Sequence, residues 1–134
     1  GRRADIVGIN PRLAPDVDPL AAVAELSPER FAQKITWARE AARAAGRDPD
    51  TLEFQMRMFD VRVVHRGVEH RSTSSHARLA DAAALASSPA VLHGSVDECV
   101  DRLIALRERY GVSYLHLGGN LAAAAPIVAR LAGR

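Results

Sequence analysis

The chain has 134 residues, 48% of them hydrophobic and 25% charged, a globular balance that excludes a disordered acidic tail and a low-complexity polymer and suits a single core. The formal charge of +2 comes from 18 basic and 16 acidic residues; with 4% aromatics and arginines scattered from Arg2 to Arg134 without a stripe, no nucleic-acid partner is expected. No apolar run nears the roughly 18 residues of a spanning helix, residues 1–30 lack a signal peptide's apolar core, and Cys99 alone excludes an internal disulfide, so a cytoplasmic protein with no membrane contact is expected.

In chain order, Ala4 to Ile9 is a short apolar run with β-branched residues, stopped by Asn10-Pro11, which predicts a strand buried on both faces. Residues 10–27 hold Pro11, Pro15 and Pro19, a connection of functional or disordered length with one short helical turn at Leu20–Leu26. Ser27-Pro28-Glu29 reads as N-cap, first-position proline and first-turn acid. Phe31, Ile35, Ala38, Ala42 and Ala45 then share one helical face, and Gly46 supplies the stop.

From Leu52 to Val64 the pattern has period two, with Leu52, Phe54, Met56 and Met58 on one face and Glu53, Gln55 and Arg57 on the other. The phase switches at Phe59-Asp60, which predicts a bulge or the strand's exit from its sheet. Residues 65–76 read as a polar linker, in which His65, His70 and His76 match no ligand spacing and are expected in solvent. Ala77–Ala86 reads as an alanine-rich helical stretch. Ser95-Val96-Asp97-Glu98 is a capping box before an apolar helical face that includes Val96, Cys99, Val100, Leu103 and Tyr110. Cys99 is expected to be an inert core thiol. Val112–Leu117 predicts a third strand, Gly118-Gly119-Asn120 a turn, and Ala122–Leu131 a last helix in which Pro126 belongs to the first turn or makes a kink. The alternation of strands and helices predicts an α/β protein of parallel βαβ units, with only three strands and two open sheet edges.

Ala86-Ser87-Ser88-Pro89-Ala90-Val91-Leu92-His93-Gly94-Ser95-Val96-Asp97-Glu98, with Arg107 to Tyr114 and Ala125 to Gly133, resembles the C-terminal end of luciferase-like flavin- and deazaflavin-dependent oxidoreductases and monooxygenases. Upstream, Ala4–Ile9 is similar to a late barrel strand and Phe31 to Gly46 to the helix after it, the weakest likeness falling in residues 65–82. The resemblance implies that residues 1–134 are one partial domain, carrying the sixth to eighth strands of a (β/α)8 TIM barrel. It also implies deazaflavin coenzyme F-420 or FMN as the cofactor of the complete barrel and a small-molecule substrate. The expected partner is a second copy, making a homo-oligomer, or the missing N-terminal half.

Barrel geometry, rather than a family motif, then makes the residues after the strands the candidate cofactor contacts: Asn10 and Arg12, Asp60 and Arg62, and His116, Gly118, Gly119 and Asn120. Removing Arg12 or Asn120 is expected to weaken binding without altering folding. Each has a plainer reading as well. Asn10 before Pro11 is a common turn residue, Gly118-Gly119-Asn120 serves equally as a phosphate cradle or as an Asn-capped turn, and His116, alternating with Tyr114, reads as an interior histidine rather than a general acid. No catalytic Ser-His-Asp set or carboxylate pair can be assembled from the pattern.

Overall fold

The computed structural model describes residues 3–11, 25, 27–73 and 86–132. Arg12, His76, all of the turn expected at 20–26 except Glu25, and most of the alanine-rich stretch lie outside these residues. Helix α1 (Pro28–Ala44) starts where its cap predicts, with Ser27 Oγ accepting from Arg30 N at 3.2 Å. It ends before Gly46, whose φ of 72° is the left-handed conformation that glycine adopts without a Cβ clash. The buried face is Phe31, Ile35, Ala38 and Ala42. Beside it the Arg39 guanidinium stands over the Phe54 ring at 5.5 Å.

A first sheet has the order β1 (Ile6–Gly8), β2 (Glu53–Arg57), β6 (Val112–His116), all parallel. Its two faces differ sharply. Phe54, Met56 and Val112 are buried, and Val112 shares a groove with Leu103 and Ile104 of helix α2 (Val96–Tyr110), so α1 and α2 cover the same side. On the other side Ile6, Glu53, Arg57, Tyr114 and His116 are exposed, and no described element covers them.

The expected break at Phe59-Asp60 is an exit from the sheet. Met58 N donates to His116 O at 2.9 Å, still within the first sheet, whereas Phe59 N donates to Ala90 O at 2.7 Å, across to the strand that follows. The chain continues as β3 (Asp60–His65), the centre of a second sheet ordered β4 (Val68–Thr73), β3, β5 (Val91–Ser95). Six strands therefore stand among the described residues where the pattern predicts three, and the units are not all parallel, because β3 and β4 form an antiparallel hairpin. The presumed polar linker is mostly this hairpin. Arg66 and Gly67 turn it with φ of 51° and 78°, positive at both central positions as a two-residue type I′ turn requires.

One buried cluster runs through both sheets, with Val61, Val63 and Leu92 of the second joining Phe54 and Met56 of the first. Helix α3 (Leu121–Leu131) adds Ala123 and Ile127 to it. Pro126 is the sixth residue of α3, beyond the first turn, and leaves the Ala122 carbonyl without its usual helical donor. The result is a mixed α/β fold of parallel β-α-β units with open sheets. Among the described residues no helix is long and apolar enough to cross a membrane.

The capping box of α2 is fully formed. Glu98 N donates to Ser95 Oγ at 3.3 Å, and Glu98 Oε2 accepts from Ser95 N and Ser95 Oγ, both at 2.8 Å. These bonds hold the Glu98 carboxyl below its ordinary range, the backbone bond contributing most. Replacing Ser95 by Ala should cost about 1 kcal/mol and lower the melting temperature by about 4 °C. The lowered carboxyl gives the pH sign: its contribution is complete above the ordinary carboxylate range and is lost as the pH falls through the folded-state value. Ser95→Ala keeps the backbone bond and loses the bond from Ser95 Oγ to the carboxylate, so the gap between parent and variant melting curves should narrow in acid without closing, because the cap on Glu98 N does not titrate.

Candidate functional site

The residues after the strands gather into two groups. At the C-terminal edge of the first sheet, Asn10 extends the β1–β2 ladder with its side chain. Following the bond from Ile9 N to Gln55 O, Asn10 Oδ1 accepts from Arg57 N at 3.2 Å, the place a backbone carbonyl would take. Its Nδ2 donates to Gln55 Oε1 at 3.2 Å, and its carbonyl accepts from Lys34 Nζ at 3.1 Å. Asn10 thus fixes the strand end and ties it to α1. Arg57 and His116 are register partners on the uncovered face, and neither side chain has a hydrogen bond or ion pair among the described residues. His116 is exposed here, not interior, because the face it shares with Tyr114 is the uncovered one.

The second group surrounds the start of β3. Asp60 is 1% exposed, and its Oδ2 accepts from Arg62 Nη2 at 2.9 Å and meets His93 Nε2 at 2.8 Å. A carboxylate so deeply buried is tolerable only when paired and hydrogen-bonded. His93 lacks a local sequence signal that would reveal this role, since its partner is 33 residues away and only the β3–β5 register brings them together. Arg71 completes the group from β4, opposite Arg62 and ion-paired to Glu69.

The turn after β6 joins the two groups. Asn120 caps α3, its Oδ1 accepting from Ala122 N at 3.0 Å, while its Nδ2 donates to Arg71 O at 2.9 Å. Both halves of its amide therefore serve the fold, so removing Asn120 should disturb folding as well as any binding. Gly118 has φ of 87°, and a Cβ there would lie 2.1 Å from Ser72 Oγ. The close approach of the hairpin explains this glycine. A Cβ at Gly119 would meet nothing within 4 Å. Arg12 lies outside the described residues.

Other features hold less chemistry. A groove of about 300 Å³ between α2, β6 and α3, lined by Leu103, Val112, Leu115, Leu131 and Arg107 among others, includes none of the candidate residues. His65 and His70 lie on the hairpin, and among the described residues no three His, Cys, Asp or Glu side chains gather to hold a metal ion. Cys99 is buried, and desolvation followed by the Glu98 charge pushes its thiol up to about 11.

Comparison with protein-family models, with curated proteins and with solved structures returns no match.

Two measurements follow from this geometry. Gly118→Ala should destabilise the protein by about 1–3 kcal/mol, through strain and hairpin displacement, while Gly119→Ala should stay within about 0.5 kcal/mol of the parent in denaturant unfolding. Native Cys99 should alkylate with iodoacetamide at pH 8 roughly 100-fold more slowly than an ordinary thiol, in proportion to its thiolate fraction, and react at the ordinary rate once unfolded.

Proposed function

We propose that this chain is the late-strand sector of a luciferase-like (β/α)8 barrel and forms part of a flavin- or deazaflavin-dependent oxidoreductase acting on a small organic molecule. One observation carries the reading: the strands of the first sheet lie side by side in chain order, β1, β2, β6, all parallel, with the described helices on one side only. A doubly wound sheet reverses its strand order and is covered on both faces, whereas a barrel keeps its helices outside and its strand interior free to meet other strands. The loops beyond the C-terminal strand ends are where barrels hold their ligands.

The residues at that edge fit such a cofactor. Arg57 and His116 offer donors without a partner among the described residues to a phosphate or to the carbonyl edge of a ring, and Asn10 holds Arg57's strand in register. The bound flavin or deazaflavin supplies the hydride chemistry. The protein's contribution is to bind and orient it.

A second reading rests on the same sheet. With β1 and β6 both unpaired on their outer edges among the described residues, and Ile6 and Tyr114 52% and 56% exposed, a non-catalytic module that self-associates through its edges is the alternative.

The test is a fluorescence titration of the complete polypeptide encoded around these 134 residues with FMN and with coenzyme F-420. Saturable binding of one of them, weakened about tenfold by Arg57→Gln with the melting temperature unchanged, is the expected result. If neither cofactor binds while sedimentation gives a concentration-dependent dimer, the self-association reading replaces the oxidoreductase.

A further inference from the structure

One level of register in the second sheet aligns three basic side chains: His93 on β5, Arg62 on β3 and Arg71 on β4. Residues paired at one level share a face, so all three project away from the buried Val61, Val63 and Leu92. Neighbouring strands lie roughly 4.8 Å apart, which sets two guanidinium groups and an imidazole within a span of about 10 Å. Their side chains are 40%, 60% and 37% exposed for Arg62, Arg71 and His93 respectively.

Like charges directly opposed across strands destabilise a sheet, so the row needs counter-charge. The protein supplies two carboxylates. Asp60 holds both Arg62 and His93 from a buried position through one oxygen, and Glu69 engages Arg71 from its own strand. Two features are left unexplained by the fold. Arg62 Nε is buried and has no hydrogen-bond partner among the described residues, an unusual state for a guanidinium N–H. His93, with Nε2 committed to Asp60, keeps Nδ1 for something else.

We propose that this row binds a small oxyanion, a phosphate or carboxylate group, between His93, Arg62 and Arg71, with Asp60 as the positioning residue that holds the first two. An oxyanion presents several acceptors to groups already fixed in place, so little side-chain freedom is lost on binding. Glu69 is a built-in competitor: it occupies Arg71 when the site is empty and is exposed enough to swing away. The site lies on the second sheet, distinct from the Arg57–His116 edge, and does not depend on the cofactor reading.

The experiment is a heteronuclear NMR titration of the 134-residue chain with inorganic phosphate and, separately, with acetate, at constant ionic strength in chloride. The Arg62 Nε–H and His93 ring resonances are the reporters. Expected is a saturable shift of both with at least one anion, with a dissociation constant of about a millimolar; the anion that saturates at lower concentration identifies the phosphate or the carboxylate source. Arg71→Gln should weaken binding by about fivefold or more. Glu69→Gln should tighten it, a change of opposite sign that a purely structural role for the row does not produce. Both substitutions fall on exposed positions of β4, and circular dichroism checks that the fold persists. Shifts linear in concentration for both anions, or equal shifts in the parent and Arg71→Gln, would overturn the proposal.

Discussion

Two consecutive amides hold this molecule together. Met58 N bonds to His116 in the first sheet and Phe59 N to Ala90 beside the second, so the chain passes from one sheet to the other within a single peptide unit. Both side chains at the junction are buried, which requires cover on both faces of the chain there, since successive residues point to opposite faces. The junction is possible because different layers lie on its two sides. It lets two three-stranded sheets, each marginal alone, share one hydrophobic cluster. It also delivers Asp60 to the interior in the next residue, so the deepest charge in the fold is a direct consequence of the strand switch.

That placement shapes the chemistry. A buried carboxylate must be compensated where it stands, and the residues available are those that the second sheet brings to the same face, Arg62 two positions along β3 and His93 across on β5. The hairpin is in turn fastened to the first sheet's loops, through Asn120 on Arg71 O and through the close approach of Ser72 to Gly118. The two groups of polar residues, the Arg57–His116 edge and the His93–Arg62–Arg71 row, are therefore positioned by one connected framework while facing different surroundings. In the proposed reading the first receives the cofactor and the second a compact anion.

How much of this was legible in the sequence depends on how local the signal is. The cap at Ser27, the stop at Gly46 and the box at Ser95–Glu98 are written within a few residues and were readable to the residue. The alternation in β2 was equally plain, because one face is buried and the other is not. The hairpin was hidden for a physical reason: its turn uses Arg66-Gly67 in place of the usual Asn-Gly, and Arg66 takes a positive φ that its residue type does not advertise. Strand β5 was hidden because Val91 and Leu92 are buried on opposite faces, leaving no alternation before the capping box. Asp60 and Arg62 were named as candidates from barrel geometry, by their place near the end of the second predicted strand. His93 was not, since no spacing along the chain signals a contact made through parallel register.

The central claim is that the Met58–Phe59 junction makes the two sheets a single cooperative unit, and native-state hydrogen exchange tests it most directly. If the claim holds, the amides of Met58 and Phe59, with those of Met56 in the first sheet and Val61 in the second, exchange only through global unfolding and share one opening free energy and one denaturant dependence. Exchange of Phe59 and Val61 through a cheaper opening, with Met56 and Met58 still protected, would contradict it, because the second sheet would then unfold independently of the first.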